Sequence, residues 1–568
     1  MSLGKAAVFK HIPVYYPNHV GAVGGLVGMI GGLGGFVLPI SFGALLDLTG
    51  IYTSSFALLF ILVAISLTWM HLSVRAMEQA AQGDALGKLP QLPEMQDMHT
   101  PEVQARAHLL EEWNPEFWES KGRRIARRNL WISIPALLLA FSVWMVWSVV
   151  VARLPAIGFD FTQGQLFWLA ALPGLSGATL RIFYSFMVPI FGGRLWTTLS
   201  TASLLLPAMG IGYAVQNPET PYLIFLVLAL LCGFGGGNFA SSMANIAFFY
   251  PKAEKGNALA LNAGLGNLGV SVMQFAVPIA ITTSVFGVMG GQPQTMSDGG
   301  QLWMQNAGFI WVPLIIAATI AAWIGMNDIA DAKASFKEQS IIFSRKHNWI
   351  MCVLYTGTFG SFIGYSAGFP LLTKLQFPEV NALQLVFLGP LVGALSRAAT
   401  GWVSDKFGGG RVTFWTFLAM IVAVFGVIFF IGIKEQPGAF WGFFASFMAL
   451  FFLTGVGNAS TFQMIPVIMT REVPRLMKGL SKDELLKQAG RESAAIIAFT
   501  SAIAAYGAFF IPKAYGTSIS MTGGPAAALW GFLVFYVICA ALTWAYYTRR
   551  GGLLYEVERT VATTPVTA

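Results

Sequence analysis

The sequence predicts an all-α integral membrane protein, with two early transmembrane helices followed by a unit of twelve. Three observations support this fold class. Hydrophobic residues occupy 55% of the 568 positions and charged residues only 11%, whereas a soluble protein has about 25% charged residues. The apolar residues are gathered into runs of about 20, the length that crosses a bilayer as a helix. One local pattern occurs in two of these runs, which indicates that the unit of twelve consists of two similar halves of six.

The apolar runs and the polar stretches between them define the expected domains. Residues 1–75 hold the two early spans, near 21–46 and 54–74. The other segments are expected to be a cytoplasmic linker at 76–128, an N-terminal six-helix half at 129–326, a central cytoplasmic loop at 327–348, a C-terminal six-helix half at 349–550 and a cytoplasmic tail at 551–568. The twelve spans are expected near 130–152, 164–190, 194–215, 221–249, 256–286, 306–326, 349–375, 382–403, 412–432, 438–470, 493–515 and 526–547.

Most Lys and Arg residues lie in loops on one side of the membrane, which we call the basic face. These loops include KGRRIARR at 121–128, SRKHN at 344–348 and DKFGGGR at 405–411. Because positively charged loops stay in the cytoplasm, we expect the basic face and both chain termini to be cytoplasmic. The net charge of +8 therefore reflects membrane orientation, and we expect no nucleic-acid partner.

The recurring pattern places one arginine inside a span of each half. Each arginine follows a Gly-Ala pair and precedes Phe-Gly-Gly in the next loop. The two copies are Gly177-Ala178-x-x-Arg181 with Phe191-Gly192-Gly193, and Gly393-Ala394-x-x-Arg397 with Phe407-Gly408-Gly409. The second-half loop carries Asp405, whereas the first-half loop at 188–194 has no acidic residue. Two similar halves of six helices are a known transporter architecture.

Arg181 and Arg397 are candidates for an anion site. A cation at the centre of a membrane helix costs roughly 2.5–3.5 kcal/mol and usually faces a cavity or a partner. The alternative is a structural pair with a carboxylate, but the sequence places Asp405, Glu379 and Glu492 at span ends or in loops. Guanidinium groups direct forked donors toward planar oxyanions. The two arginines therefore predict a carrier for a small anion.

The positions of the titratable residues bear on how transport is driven. Proton-driven carriers usually hold Asp, Glu or His inside the membrane, and all six histidines lie in loops or at span ends. Exchange of anions needs no proton relay, because a loaded pocket is neutralised and an empty charged pocket is costly to reorient. Water can also relay protons, so proton coupling stays open. The three cysteines lack metal-ligand spacing, and we expect no metal, no cofactor and no enzymatic activity.

The fifth span, GNALALNAGLGNLGVSVMQ, offers small and neutral polar residues. Gly264, Gly266 and Gly269 favour either close helix packing or a close approach of the backbone to the substrate. Asn262 and Asn267 can donate amide hydrogen bonds to a weakly basic anion. Both interpretations of the glycines stay open on the sequence.

Three aromatic residues are candidates for the walls of the pocket. Tyr355 and Phe359 lie one turn apart in the seventh span, and Phe239 lies in the fourth span. The alternative is that these rings belong only to the hydrophobic core.

Four segments resemble the NarK nitrate/nitrite porters of the major facilitator superfamily. They are the loop DKFGGGR, the run CGFGGGNFASSMANIAFFYPKAEKGNALALNAGLGNLGVSVMQ at 232–274, LYTGTFGSFIGYSAGFPLL at 354–372 and SAIAAYGAFFIPKAYG at 501–516. The resemblance covers residues 111–550. It implies the major facilitator fold of twelve transmembrane helices. It also implies transport of nitrate and nitrite across a bacterial inner (plasma) membrane by alternating access.

The resemblance further implies a set of substrate-binding residues. The substrate contacts of the family correspond here to Arg181, Arg397, Tyr355, Phe239 and Asn267. The residue pattern adds Phe359, Asn262, Gly264 and Gly266. The eleventh span departs from the family, because the family is glycine-rich there and residues 501–508 are mostly alanine and serine.

Residues 1–75 resemble the last two spans of a second porter. GGFVLPISFG in this segment aligns with GAFFIPKAYG of the eleventh span, and fused pairs of porters exist in the family. Two spans cannot form a transport path, so we expect them to have no transport role or to pack against the complete unit.

These observations favour a nitrate/nitrite antiporter with an arginine-lined central anion site. The alternatives are a proton-coupled nitrate symporter and a nitrate sensor without net transport. The expected partners are nitrate, nitrite and the lipid bilayer, and one chain is expected to work as a monomeric unit.

Overall fold

The computed structural model describes residues 63–69, 118–185, 187–250, 252–296, 299–329, 340–477 and 481–555. The chain forms two compact units, one of Met1–Asp97 with Ser335–Ser340 and one of Met98–Ala334 with Ile341–Ala568. In the first unit, residues 63–69 are helical. The expected span near 21–46, most of the span near 54–74, and most of the linker and tail lie outside the described residues.

The second unit is built almost entirely from α-helices. Its first helices are α1 (Arg123–Met145), α2 (Trp147–Val150), α3 (Gln163–Tyr184), α4 (Met187–Phe191), α5 (Gly193–Ala202), α6 (Leu205–Ala214), α7 (Tyr222–Phe249), α8 (Lys252–Ala280), α9 (Asn306–Phe309) and α10 (Trp311–Gly325). The later helices are α11 (Lys346–Tyr355), α12 (Ser361–Gln376), α13 (Leu388–Ala399), α14 (Gly401–Phe407), α15 (Gly409–Gly432), α16 (Ala439–Leu476), α17 (Lys482–Ala505), α18 (Gly507–Thr522) and α19 (Ala526–Thr543).

Within the described residues, these helices form twelve segments that are long and apolar enough to cross a membrane. The segments are Ser120–Val150, Gln163–Tyr184, Gly193–Ala214, Tyr222–Phe249, Leu261–Ala280, Asn306–Gly325, Lys346–Gln376, Ala382–Ala399, Gly409–Gly432, Ala439–Leu476, Glu484–Thr522 and Ala526–Thr548. They confirm the expected unit of twelve spans. We call the first six spans the first half and the last six the second half.

Some spans extend further than the apolar runs that predicted them. The first begins at Ser120 rather than near 130, and the eleventh begins at Glu484 rather than near 493. A capping box starts the eleventh, because the Ser481 hydroxyl accepts from the Glu484 N–H and the Glu484 carboxylate accepts from the Ser481 N–H. Helical hydrogen bonding continues past the apolar region, so hydrophobicity alone misplaces these ends.

A small β-ribbon lies in the loop between the fifth and sixth spans. β1 (Gln294–Thr295) pairs antiparallel with β2 (Gln301–Leu302). Gly299 between the strands has a φ of 84°, a left-handed conformation that glycine adopts without strain. The all-α expectation holds for the spans, and this ribbon is its single exception among the described residues.

The seventh span is interrupted at its centre. A π-helical turn, Thr356–Gly360, separates α11 from α12. Single π-helical turns inside α-helices occur frequently at functional sites. Here the turn follows Tyr355 directly and contains Phe359, so it sets the spacing of two residues that were predicted to line the anion site.

The two halves are joined by hydrogen bonds away from the basic face. These bonds join Ser271 to the Phe387 carbonyl, Gln274 to the Ser366 carbonyl, Thr179 to Tyr506 and Arg181 to the Ser501 carbonyl. Ser271 and Gln274 lie in the later part of α8, which runs from the basic face at Lys252 to the opposite face at Ala280. Thr179 lies two residues before Arg181 on α3, so its bond is near the level of Arg181. Between described residues, the halves form no hydrogen bond nearer the basic face.

The acidic residue missing from the first-half loop is supplied by another segment. Asp328, which follows the sixth span, is fully buried. It accepts a hydrogen bond from the Arg194 backbone N–H at 2.8 Å, and its second oxygen lies 3.8 Å from Arg194 Nε. Gly192 leaves room for this carboxylate, since a Cβ there would collide with it. The internal repeat does not predict this partner, because Asp328 is distant in sequence from the loop at 188–194.

Replacing Asp328 by Ala is expected to destabilise the protein. Removing one partner of a buried ion pair leaves the other charge uncompensated and costs roughly 3–5 kcal/mol of unfolding free energy. Thermal unfolding in detergent measures the effect. Asp160→Ala, in an exposed loop position, is the matched control and should melt like the wild type. Equal melting temperatures for both variants would contradict the structural role of Asp328.

Candidate anion site

Arg181 is held at the centre of the second unit by helices from both halves. Its side chain projects from α3 and is fully buried. Its Nε donates to the Gly236 carbonyl of α7 at 2.8 Å, and one terminal nitrogen donates to the Ser501 carbonyl of α17 at 3.2 Å. The guanidinium group therefore bridges the first half and the second half.

Three rings surround the guanidinium group of Arg181, and we call them the aromatic cage. The Arg181 Cζ lies 5.0 Å from the ring centroid of Trp144, 4.8 Å from that of Phe239 and 5.2 Å from that of Phe359. A cation within about 6 Å of an aromatic face gains roughly 0.5–2 kcal/mol. The cage and the two carbonyl bonds therefore offset a desolvation cost of several kcal/mol without a carboxylate.

One donor nitrogen of each arginine remains available. The second terminal nitrogen of Arg181 is buried and has no hydrogen-bond partner among the described residues. The half-buried Arg397, on α13, likewise has one buried terminal nitrogen that no described residue accepts from. Its Cζ lies 5.6 Å from the ring of Phe462. A buried donor without an acceptor is costly, so both groups are suited to a bound anion.

A continuous series of rings connects the two arginines. Phe359 of the aromatic cage stacks on Tyr355, with centroids 5.5 Å apart and planes 15° apart. Tyr355 in turn lies 6.3 Å from Phe462, the ring beside Arg397. The Tyr355 hydroxyl is buried and unpartnered within the described part of the chain. The structure thus brings together both arginines and all three predicted aromatic residues.

The four candidates from the fifth span have different surroundings. Asn267 is buried with an unpartnered carbonyl oxygen, and a Cβ at Gly264 would meet open space. Gly266 packs against Leu137 of α1, where a Cβ would lie 2.6 Å from the leucine side chain. Helix packing is therefore the role that the structure gives to Gly266.

Asn262 is directed toward the fourth span. Its amide nitrogen donates to the Ser242 hydroxyl at 2.9 Å, and Ser242 lies 2.8 Å from the Ser133 hydroxyl. This places Asn262 in a polar cluster of the first half, without a contact to either arginine. Its carbonyl oxygen has no partner among the described residues.

The sequence pattern of the Major Facilitator Superfamily matches this chain twice, over residues 1–273 and over residues 136–482. The chain belongs to this superfamily. The first match includes the two early expected spans, in agreement with their resemblance to part of a porter. The second match covers most of the twelve-span unit, so the sequence-based expectation for the family is confirmed.

The facilitator is similar to several named transport proteins. It is 54% identical over 449 residues to "Nitrate/nitrite transporter NarU" of Escherichia coli (strain K12). The aligned region covers 78% of this chain and 97% of that protein. It is 40% identical over 459 residues to "Probable nitrate/nitrite antiporter NarK2" of Thermus thermophilus, spanning 79% and 98%. It is 24% identical over 439 residues to "Nitrite extrusion protein" of Bacillus subtilis (strain 168), spanning 75% and 96%.

Among the described residues, the carboxylate that is buried within a span is neutralised by a different arginine. Glu492 was expected at a span end or in a loop, but it lies inside α17 and is buried. Arg345, just before the seventh span, binds both of its oxygens at 2.7 Å. This hydrogen-bonded pairing raises the pKa of the Arg345 guanidinium. Glu492 therefore leaves the charges of Arg181 and Arg397 uncompensated.

Sequence reasoning missed two of the rings beside the arginines. Trp144 lies in the run SVWMVWSVVV, where nothing separates it from Trp147. Asn458 is the repeat equivalent of Asn238. The first-half ring, Phe239, comes directly after Asn238, whereas Phe462 comes four residues after Asn458. The internal repeat therefore predicts the arginines but places the second ring about one helical turn away from its true position.

The site is suited to binding a small anion. Two guanidinium groups and a phenol converge with aromatic rings. In the described residues, no group of three or more His, Cys, Asp or Glu side chains could hold a metal ion. The arrangement favours reversible binding of a small planar anion.

Replacing Tyr355 by Phe is expected to separate stability from binding. Loss of a buried, unpartnered hydroxyl should leave stability unchanged or raise it by about 1 kcal/mol, whereas nitrate affinity should fall roughly fivefold. Thermal unfolding and equilibrium dialysis with labelled nitrate provide the two measurements. Tyr515→Phe is the matched control, because its hydroxyl is also buried and unpartnered among described residues; it should leave nitrate affinity unchanged. Unaltered binding in Tyr355→Phe would assign this ring to the core alone.

Proposed function

We propose that this chain is a nitrate/nitrite transporter that exchanges the two anions by alternating access. The observation that carries the proposal is the pair of central arginines, each with a buried donor that no described residue satisfies. Neither arginine forms an ion pair with a described residue. The names of the relatives at 54% and 40% identity support nitrate and nitrite as the anions.

The geometry favours a small planar oxyanion. A guanidinium edge presents parallel N–H donors that match two oxygens of such an anion. The rings of Phe239, Phe359 and Tyr355 limit the space between the arginines and offer flat apolar surfaces. Nitrate and nitrite are flat, singly charged and weakly basic, and they need little help from acidic or metal groups.

We assign roles to the predicted residues on this basis. Arg181 and Arg397 bind the anion, Tyr355 and Asn267 supply polar contacts, and Phe239 and Phe359 form the walls. We assign the open space that a Cβ at Gly264 would meet to the anion. Asn262 and Gly266 support the site from behind, through Ser242 and Leu137 respectively.

Electrostatics favours exchange over one-way transport. With the pocket empty, reorientation would close the two halves around two uncompensated charges in a low-dielectric interior, which is costly. A bound anion neutralises part of that charge in either direction. This coupling makes the loaded carrier the form that reorients, so each anion carried one way is followed by another carried back.

The contacts between the halves support a state open toward the basic face. By the positive-inside rule this face is cytoplasmic, in a bacterial inner membrane. The hydrogen bonds between halves lie near Arg181 or beyond it, toward the opposite face. Opening the opposite face requires these bonds to break. Both arginines come from one chain, so we propose that a monomer is the working unit.

Proteoliposomes loaded with nitrite are expected to take up labelled nitrate without a pH gradient. Exchange explains this result, because internal nitrite binds the inward-facing site and the loaded carrier can then reorient to the outside. The measurement is the initial rate of nitrate uptake with nitrite, or with an inert buffer anion, inside the vesicles. Uptake that requires a pH gradient but no internal anion would indicate a proton symporter. Saturable nitrate binding without uptake under either condition would indicate a sensor.

Arg181→Lys and Arg397→Lys are each expected to lose most transport. Lysine keeps the positive charge but not the forked donors, and bonds to charged groups contribute roughly 1.5–3 kcal/mol. Nitrate exchange should therefore fall at least tenfold while the protein still inserts in the membrane. Arg471→Lys, exposed near the end of the tenth span, is the control. Wild-type exchange in either central variant would remove that arginine from the site.

A further inference from the structure

Trp144 is buried at the crossing of the two helices that hold Arg181. Its indole N–H donates to the Pro173 carbonyl of α3 at 2.6 Å. Its ring forms one wall of the aromatic cage, 5.0 Å from the Arg181 Cζ. The same side chain therefore contacts both the backbone of α3 and the guanidinium group that α3 carries.

Two glycines create the space for this indole. A Cβ at Gly177 on α3 would lie 2.5 Å from Trp144 Nε1, and a Cβ at Gly236 on α7 would lie 2.6 Å from its ring. Gly236 also supplies the carbonyl that accepts from Arg181 Nε. The indole thus packs against both Arg181 and the glycine whose carbonyl fixes the orientation of the guanidinium group.

The contacts of Arg181 divide between the halves of the molecule. Trp144, Phe239 and the Gly236 carbonyl belong to the first half, as Arg181 itself does, whereas Phe359 and the Ser501 carbonyl belong to the second half. In a movement of one half against the other, the first-half contacts travel with Arg181 and the second-half contacts change. Of the first-half side chains in the cage, Trp144 alone has a polar atom that anchors it.

We propose that Trp144 is a positioning residue that keeps the donor edge of Arg181 directed into the anion pocket, above all when the second-half contacts are lost. The proposal rests on the proposed function, because it concerns the same site. It predicts an asymmetric defect. When the pocket is open to the basic face, Arg181 keeps all five contacts; when it is open to the opposite face, the first-half contacts alone hold it.

Trp144→Phe tests this proposal because it retains a ring and removes the N–H donor. Nitrate exchange is measured in vesicles of both orientations. The expected result is a KM for nitrate raised about fivefold at the opposite face, the effect of one lost hydrogen bond, with a smaller rise at the basic face. The maximal rate should change less than the KM.

Trp147→Phe is the matched control. Trp147 is equally buried in the adjoining helix α2, but it packs on Phe225, with centroids 5.8 Å apart. This variant should leave the KM at both faces unchanged. An equal KM rise at both faces in Trp144→Phe, or the same rise in Trp147→Phe, would show a purely structural role and overturn the proposal. Wild-type KM values at both faces in Trp144→Phe would also overturn it.

Gly177→Ala provides a second route if Trp144→Phe fails to fold. It retains the indole and displaces it, since the added methyl would overlap Trp144 Nε1. The same face-dependent KM rise is expected, and its absence in a folded Gly177→Ala protein would overturn the proposal. Failure of the wild-type protein to exchange nitrate would instead refute the proposed function.

Discussion

Burial of the Arg181 charge without a carboxylate is the constraint on which the central architecture depends. A buried cation costs several kcal/mol unless it is compensated. Here the compensation comes from two backbone carbonyls and three aromatic rings. These groups lie on α1, α7, α17 and the π-helical turn of the seventh span, so elements from both halves must meet at this position. Gly177 and Gly236 allow α3 and α7 to approach each other closely at the same position.

The same interaction connects binding with movement between the halves. One nitrogen of Arg181 donates to the Ser501 carbonyl in the second half, and Thr179, two residues before Arg181 on α3, contacts Tyr506, which directly follows α17. An anion that binds at Arg181 therefore arrives at a point that already joins the halves. A ligand can shift a conformational equilibrium only through different contacts in the two states, and this position offers such a difference.

The buried carboxylates are kept apart from the central site. Asp328 pairs with Arg194, and Glu492 pairs with Arg345, both toward the basic face. Each acidic group thus has its own arginine, which stabilises the helix ends on that face. The centre retains the charges of Arg181 and Arg397 for an anion. The separation of paired and unpaired arginines gives the pocket its positive potential.

The sequence by itself determined the membrane class, the twelve spans, the two arginines and three of the aromatic residues around them, because hydrophobic run length and an internal repeat are local properties. Only the tertiary structure decided which groups meet. In the structure Asn262 donates to Ser242, and Gly266 packs against Leu137. Asp328 accepts from Arg194 in a loop that has no acidic residue of its own. Trp144 and Phe462 lie beside the arginines. These contacts join residues far apart in the chain, and neither periodicity nor the repeat encodes which helix faces cross.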